Sequence, residues 1–440
     1  IIASPSATAT NTPNQTLGPA ITPTASLSPT TIRPHDVARE LAQAVPPARD
    51  NARLAAAFHG LEQPAQATAI PLVTETLSPG VRQTFTVLDV VNNTYGEIEA
   101  ELLAAGDHAY FWFEIEPFGI VPDSEALSAV VDAFDALYAE VKIHFGDENS
   151  PGIDGESRLH ILHASPQTIC GIAPGSHDGC GTAGFVSSPD LQPAVLNPKS
   201  NEREMFIMND RQFGSDYYLG VLAHEFRHLI EFNYDVADTD WEKEGSAVLA
   251  TELVGLPSGG VARANEFLAS PDQQLNSWSE TDKTPYYGAS YLFNRYLYDR
   301  LGQGIYHEFA TSPLPGFVAL NDLAEQYDLG FSGESLWVDW LAALVLHGHP
   351  QSADKYAINV EGLETAALTP IDELPGGVAG DVRQYAADYY ELPAATFTVE
   401  FAGSDTVPLL AGQDGTGEIF WYAQRANSSN PRLTRMVDLQ

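Results

Sequence analysis

The sequence predicts an α+β protein, and three observations predict it. Strand-like segments come first, helical periodicity takes over after them, and alternation returns near the end of the chain. Hydrophobic residues fill 44% of the 440 positions, enough for a sizeable core. Residues 84–90, 97–103 and 108–115 are enriched in β-branched and aromatic side chains, with a turn at Gly106-Asp107. A long amphipathic helix is expected over 124–145, where Leu127, Val130, Val131, Phe134, Leu137, Tyr138 and Val141 recur at helical spacing. Segments 158–163 and 204–208 alternate as two further strands. A mixed sheet with a central helix, followed by a helical lower half over 261–347, is therefore expected for residues 80–350. Within that lower half, helices are predicted over 262–268, 290–301, 305–310, 319–327 and 336–346.

The ends of the chain read differently. Residues 1–34 are dominated by Ser, Thr, Pro and Ala without apolar periodicity, which predicts a disordered linker or stalk. Residues 35–79 read as an N-terminal helical lead or propeptide remnant, with short helices at 36–44 and 48–58. Alternating segments at 397–401, 407–410, 417–422 and 432–438 predict a β-rich C-terminal module over 380–440. Acidic residues number 59 against 21 basic ones, a net charge of −38. Such a field repels phosphate backbones, so no nucleic-acid partner is expected. No apolar window of transmembrane length occurs. The chain opens on Ile1 with no signal peptide in view, as a mature form or a fragment would.

Chemistry concentrates at His224-Glu225-Phe226-Arg227-His228, inside a run expected to be helical over 218–232. At 3.6 residues per turn, His224 and His228 project from one helix face. Two imidazoles so placed can share one zinc ion, and Glu225 beside them can act as general base toward a water activated there. The flanking residues Tyr217, Tyr218, Leu219, Val221, Leu222, Leu229, Ile230 and Phe232 make the helix apolar, as a buried zinc-bearing helix requires.

A catalytic zinc usually takes three protein ligands. A third histidine six residues after His228 is ruled out, because that position is Tyr234, and the glycine of such a motif is replaced by Glu231. Glu231, Glu242, Glu244 and Glu252 are the carboxylate candidates. Thr239 followed by Glu242 is a capping-box signature, which starts a second helix near 239–241 and explains Glu242. Glu231 lies on the ligand helix itself and reaches the metal with difficulty. Glu244, one turn into the second helix and followed by Gly245 and Ala247, is favoured.

Trp241-Glu242-Lys243-Glu244-Gly245-Ser246-Ala247 resembles the W-x-N-E-G-x-A segment of gluzincin metallopeptidases, in which the glutamate before glycine is the third zinc ligand. Matched residue by residue, the resemblance places that role on Glu244, with Lys243 standing where the family often has asparagine. The order of an H-E-F-x-H helix, a W-x-x-E-G helix and a downstream Tyr-Gly-Ala helix is similar to secreted bacterial hyicolysin-like proteases and, more loosely, immune inhibitor A-like proteases. It covers residues 80–350 and implies a zincin-like catalytic domain. It also points to a tyrosine that helps the metal stabilise the oxyanion, within Tyr286-Tyr287-Gly288-Ala289-Ser290-Tyr291. Tyr287, which directly precedes Gly288, is preferred; Tyr286 and Tyr291 remain alternatives, and so does an aromatic stripe that only packs the helix.

Cys170 and Cys180 flank a glycine-rich loop and predict a local disulfide, which fits an oxidising compartment. Asp147, Glu148, Asp154 and Glu156 lack the regular spacing of a calcium loop and read as a solvated acidic turn, so structural Ca2+ is unsupported. The remaining histidines show no ligand pattern. A secreted zinc endopeptidase acting on protein or peptide is thus expected. An aminopeptidase is the nearest alternative, disfavoured because no G-x-M-E-N-type segment is present. A non-catalytic surface adhesion module is the other, disfavoured because a structural zinc site would not need Glu225.

Overall fold

The computed structural model describes residues 76–391 apart from 116, 174–178, 236–237, 280, 350–353, 374–381 and 384, together with Ala57, Val73 and four strands beyond residue 405. The Ser/Thr/Pro-rich segment 1–34, the helices expected at 36–44 and 48–58, and the strand expected at 397–401 lie outside the described residues.

The predicted order of strands and helices is the observed one. Strands β1 (Arg82–Asp89), β2 (Thr94–Ala105) and β3 (Ala109–Glu114) form an antiparallel meander. Helix α1 (Ser124–Phe145) then crosses over to β4 (Leu159–Ala164), which pairs parallel to β3. Asp123 caps α1 by accepting from the N–H groups of Glu125 and Ala126, and Gly146 ends it. A one-turn helix, α2 (Pro166–Cys170), leads through the cysteine loop to a two-residue strand, β5 (Gly184–Phe185). Strand β6 (Met205–Asn209) runs parallel to β4, and β5 pairs antiparallel to its outer edge. The sheet order is β1-β2-β3-β4-β6-β5.

Burial explains why β3, β4 and β6 read as nearly continuous apolar runs: both of their faces are covered. Phe111, Phe113, Ile161, Phe206 and Met208 face the core shared with α1 and with α3 (Asp216–Tyr234). Phe85, Tyr110, Trp112, Leu162 and Ile207 form a smaller core on the other face, together with Ile169 and Cys170 of α2. Cys170 and Cys180 are disulfide-bonded, with Cα atoms 5.7 Å apart, so the loop before β5 is tied to α2.

The second half is helical: α4 (Asp240–Leu253), α5 (Gly260–Ala269), α6 (Thr284–Ala310), α7 (Gly316–Gln326) and α8 (Gly333–Leu346). The two helices expected over 290–301 and 305–310 are one element kinked at Gly302, whose φ of 74° lies in the left-handed region. Trp241, Phe293 and Trp340 sit at the centre of this half. Strands β7 (Thr369–Pro370) and β8 (Tyr390–Glu391) pair in parallel, and β11 (Trp421–Ala423) and β12 (Thr434–Met436) form an antiparallel ladder. In a separate compact unit, β9 (Thr406–Leu410) pairs antiparallel to β10 (Gln413–Thr416). No described helix is long and apolar enough to cross a membrane.

Candidate metal centre

Helix α3 starts where Ser215 accepts a hydrogen bond from the Tyr218 N–H, 3.2 Å away. Its apolar face, with Leu222, Ala223, Phe226 and Ile230 wholly buried, presses on α1 and the sheet. A further anchor is His163 of β4, whose Nε2 lies 2.5 Å from the Tyr218 hydroxyl while its Nδ1 meets the Trp112 carbonyl. Burial drops His163 to a pKa of about 3, so it is a neutral structural side chain.

Held this way, α3 brings His224 and His228 together, with their Nε2 atoms 3.1 Å apart. Helix α4 supplies the third group. Glu244 Oε2 lies 3.3 Å from His224 Nε2 and 3.7 Å from His228 Nε2. Donor atoms in a tetrahedral zinc shell stand about 3.3–3.5 Å apart, so the three residues fit that ion. Among the described residues, no other three His, Cys, Asp or Glu side chains converge in this way.

The electrostatics agree with the donor set. Burial opposes ionisation of Glu244, yet His228 and His224 hold its carboxyl well below the ordinary range. Burial likewise opposes protonation of His228, but Glu244 and Glu231 outweigh it and lift the imidazole to about 10. Each shift marks a local demand for positive charge, which a divalent cation satisfies. Glu244 Oε2 is buried and accepts no hydrogen bond from the protein, as a ligand oxygen held ready would.

Close helix contacts set the position of Glu244. Thr239 donates from its N–H and its hydroxyl to Glu242 (2.9 and 2.8 Å), and the Gly316 N–H also reaches that carboxylate. Glu242 is therefore committed to the start of α4, as the cap signature implied. One residue after the ligand, a Cβ on Gly245 would stand 2.3 Å from the Ser290 carbonyl oxygen and 2.2 Å from Asn294 Nδ2. Helices α4 and α6 touch here because Gly245 has no side chain. Glu252, two turns further along α4, is engaged by Arg295 at 3.2 Å and by the Tyr291 hydroxyl at 2.5 Å.

Glu231 does something other than ligation. It is 2% exposed, and its Oε2 lies 3.8 Å from His228 Nδ1 and 3.9 Å from Arg227 Nη1. Lys243 Nζ approaches its other oxygen at 4.0 Å. A carboxylate facing the second nitrogen of a ligating histidine sets that ring's tautomer and orientation. Lys243, the departure from the asparagine of the resembled motif, thus links α4 to this carboxylate. Glu231→Gln is expected to weaken zinc affinity roughly 10- to 100-fold, measured by competition with a chelator. Unaltered affinity would leave Glu231 with a packing role only.

Glu225 is 5% exposed. Burial raises its pKa against the opposing pull of His224 and His228. A Cβ on Gly184 would come within 2.9 Å of Glu225 Cγ, so the edge strand lies directly on the Glu225 face of α3. Strand β5 escaped the sequence-based expectation, since two residues in a glycine-rich loop carry no periodicity.

Of the three tyrosines, Tyr287 reaches the centre. Burial, followed by the charges of Glu244 and Glu225, keeps its phenol protonated. Its backbone is pinned because Gly288 packs on the Arg263 carbonyl, where a Cβ would stand 2.1 Å from the oxygen. Tyr291 is turned to Glu252, and the Tyr286 ring packs against Trp278. No protein-family model matches the chain, and no curated protein is detectably similar to it in sequence.

The acidic loop requires a correction. Glu148 and Glu156 are buried rather than solvated. Glu148 takes the Tyr138 hydroxyl and Lys142, Glu156 takes the Tyr110 hydroxyl, and Asp154 lies 3.2 Å from His160. The carboxylates turn to separate protein partners because the loop folds under the sheet, where each needs one. His108, His144, His307 and His347 are engaged by Asp135, Tyr298, the Ile143 carbonyl and the Glu364 carbonyl, respectively.

Proposed function

We propose that this chain is a secreted zinc-dependent endopeptidase of gluzincin type, in which His224, His228 and Glu244 hold the metal. The observation that carries the proposal is the convergence of three ligand atoms beside a buried carboxylate and a protonated phenol. Zinc in such a site supplies a Lewis acid that activates water and polarises a carbonyl. Glu225 is placed to take the proton from the attacking water and pass it to the leaving amine. Tyr287 donates its proton toward the oxygen on which negative charge develops. The free edge of β5, which no described strand covers, offers backbone groups to an extended peptide running past Glu225. The Cys170–Cys180 disulfide is consistent with an oxidising compartment.

Zinc content measured together with digestion of a denatured protein tests the proposal. One zinc per chain, cleavage lost on chelation and cleavage restored by added zinc are expected. Metal-free protein without cleavage would favour the adhesion module, and release of single N-terminal residues would favour the aminopeptidase. Tyr287→Phe is expected to retain zinc and fold while lowering kcat about 10²- to 10³-fold, the usual loss for one oxyanion donor. Unchanged turnover would remove Tyr287 from the reaction.

A further inference from the structure

Arg263 stands beside this centre, and nothing above uses it. It lies on α5, half-buried, with its guanidinium carbon 5.0 Å from the centre of the Tyr287 ring. The guanidinium rests on Gly259, whose added Cβ would stand 3.8 Å from Arg263 Cζ, and Nη1 donates to the Ser258 carbonyl at 3.2 Å. The Arg263 main chain is locked against Gly288 of α6 by the close approach described above. The side chain is thus seated by two helices, a glycine turn and an aromatic face, as part of the wall that carries Tyr287.

Among the described residues no carboxylate pairs with Arg263, although the chain holds 59 acidic residues against 21 basic ones. Arg227 faces Glu231 and Arg295 is held by Glu252 and Asp299, whereas Arg203 and Arg300, half-buried over the Phe85 and Phe331 rings, also pair with no described carboxylate; Arg263 differs from these two in lying beside Tyr287. One of the five guanidinium N–H donors is spent on a backbone carbonyl, which leaves the rest of a planar fork whose geometry matches a carboxylate. The guanidinium carbon lies within cation–π distance of the tyrosine ring, which helps to hold the fork in place.

We propose that Arg263 is a specificity-determining residue that anchors an anionic group of the substrate, an Asp or Glu side chain or a terminal carboxylate close to the bond being cut. This inference rests on the peptide-substrate proposal and names its substrate class. The surrounding acidity sharpens the selection, since an acidic peptide repelled elsewhere on this surface finds one fixed cation next to Tyr287.

The test reads binding, independently of turnover. Zinc-loaded Glu225→Gln protein is titrated with peptides in which Glu, and in parallel Gln, is scanned through each position, along with free and amidated C-termini. At one position the Glu peptide, or the free-acid peptide, is expected to bind roughly 10- to 100-fold tighter than its neutral twin, the range for a charged hydrogen-bonded contact. Adding Arg263→Met should abolish that ratio, and Arg263→Lys should restore part of it, with Tyr287 and the zinc content unaltered. No discriminating position, no peptide binding at all, or a ratio that survives Arg263→Met would each overturn the proposal. Binding discrimination without hydrolysis by the wild type would instead keep the anchor and remove the peptidase.

Discussion

Glu225→Gln is expected to lower kcat/KM by about 10²- to 10⁴-fold or more, the contribution of a positioned general base, while leaving zinc content and melting temperature close to wild type. Glutamine has nearly the same volume, so the packing of Glu225 and Val221 of α3 against Gly184 is kept. What it loses is the capacity to take a proton. Replacing a buried carboxylate also removes a desolvated charge, so any change in stability should be small and in the stabilising direction. Metal analysis beside a peptide-library digest checks both halves. Retained cleavage would show that Glu225 is a packing residue; loss of zinc along with activity would show that the variant disturbed the ligands instead.

Gly245→Val is expected to destabilise the protein by about 3 kcal/mol or more and to weaken metal binding at the same time. Two effects compete. Replacing glycine by β-branched valine raises helix propensity by only roughly 0.3–0.5 kcal/mol at an interior helical position. Against that, the new Cβ would stand 2.3 Å from the Ser290 carbonyl oxygen, and backbone cannot turn aside as a flexible side chain does. Overpacking therefore wins, and α4 must separate from α6 where Glu244 and Tyr287 meet. Gly304→Ala on α6 is the control, since its Cβ would find no atom within 4 Å, and it is expected to be neutral or slightly stabilising. Thermal melts with and without zinc check the pair. A Gly245→Val protein as stable as wild type would mean that the helices have room to part.

Much of this protein is written locally in its sequence. The strand–helix–strand order, the spacing of His224 and His228, the start of α4 at Thr239 and the glycine beside Glu244 all depend on residues within a few positions of one another, where periodicity and capping operate. Even the distinction between Glu242 and Glu244 follows from which one the cap consumes. Glu148 and Glu156 read as solvated in the sequence yet are buried, because composition does not say which surface a loop is folded against.

The remaining features belong to tertiary structure, because they join distant parts of the chain whose placement no local pattern encodes. Strand β5 becomes an edge only by pairing with β6, and Gly184 meets Glu225 across about forty residues. The choice of Tyr287 over Tyr291 turns on which helix each phenol faces, since Glu252 captures one and Glu244 the other. Arg263 acquires meaning only once α5 and α6 lie side by side, with its guanidinium against the tyrosine ring. Short-range spacing pointed to the candidate ligands and the fold class; long-range packing decided what surrounds them, since burial, partner choice and charge compensation are properties of neighbours in space.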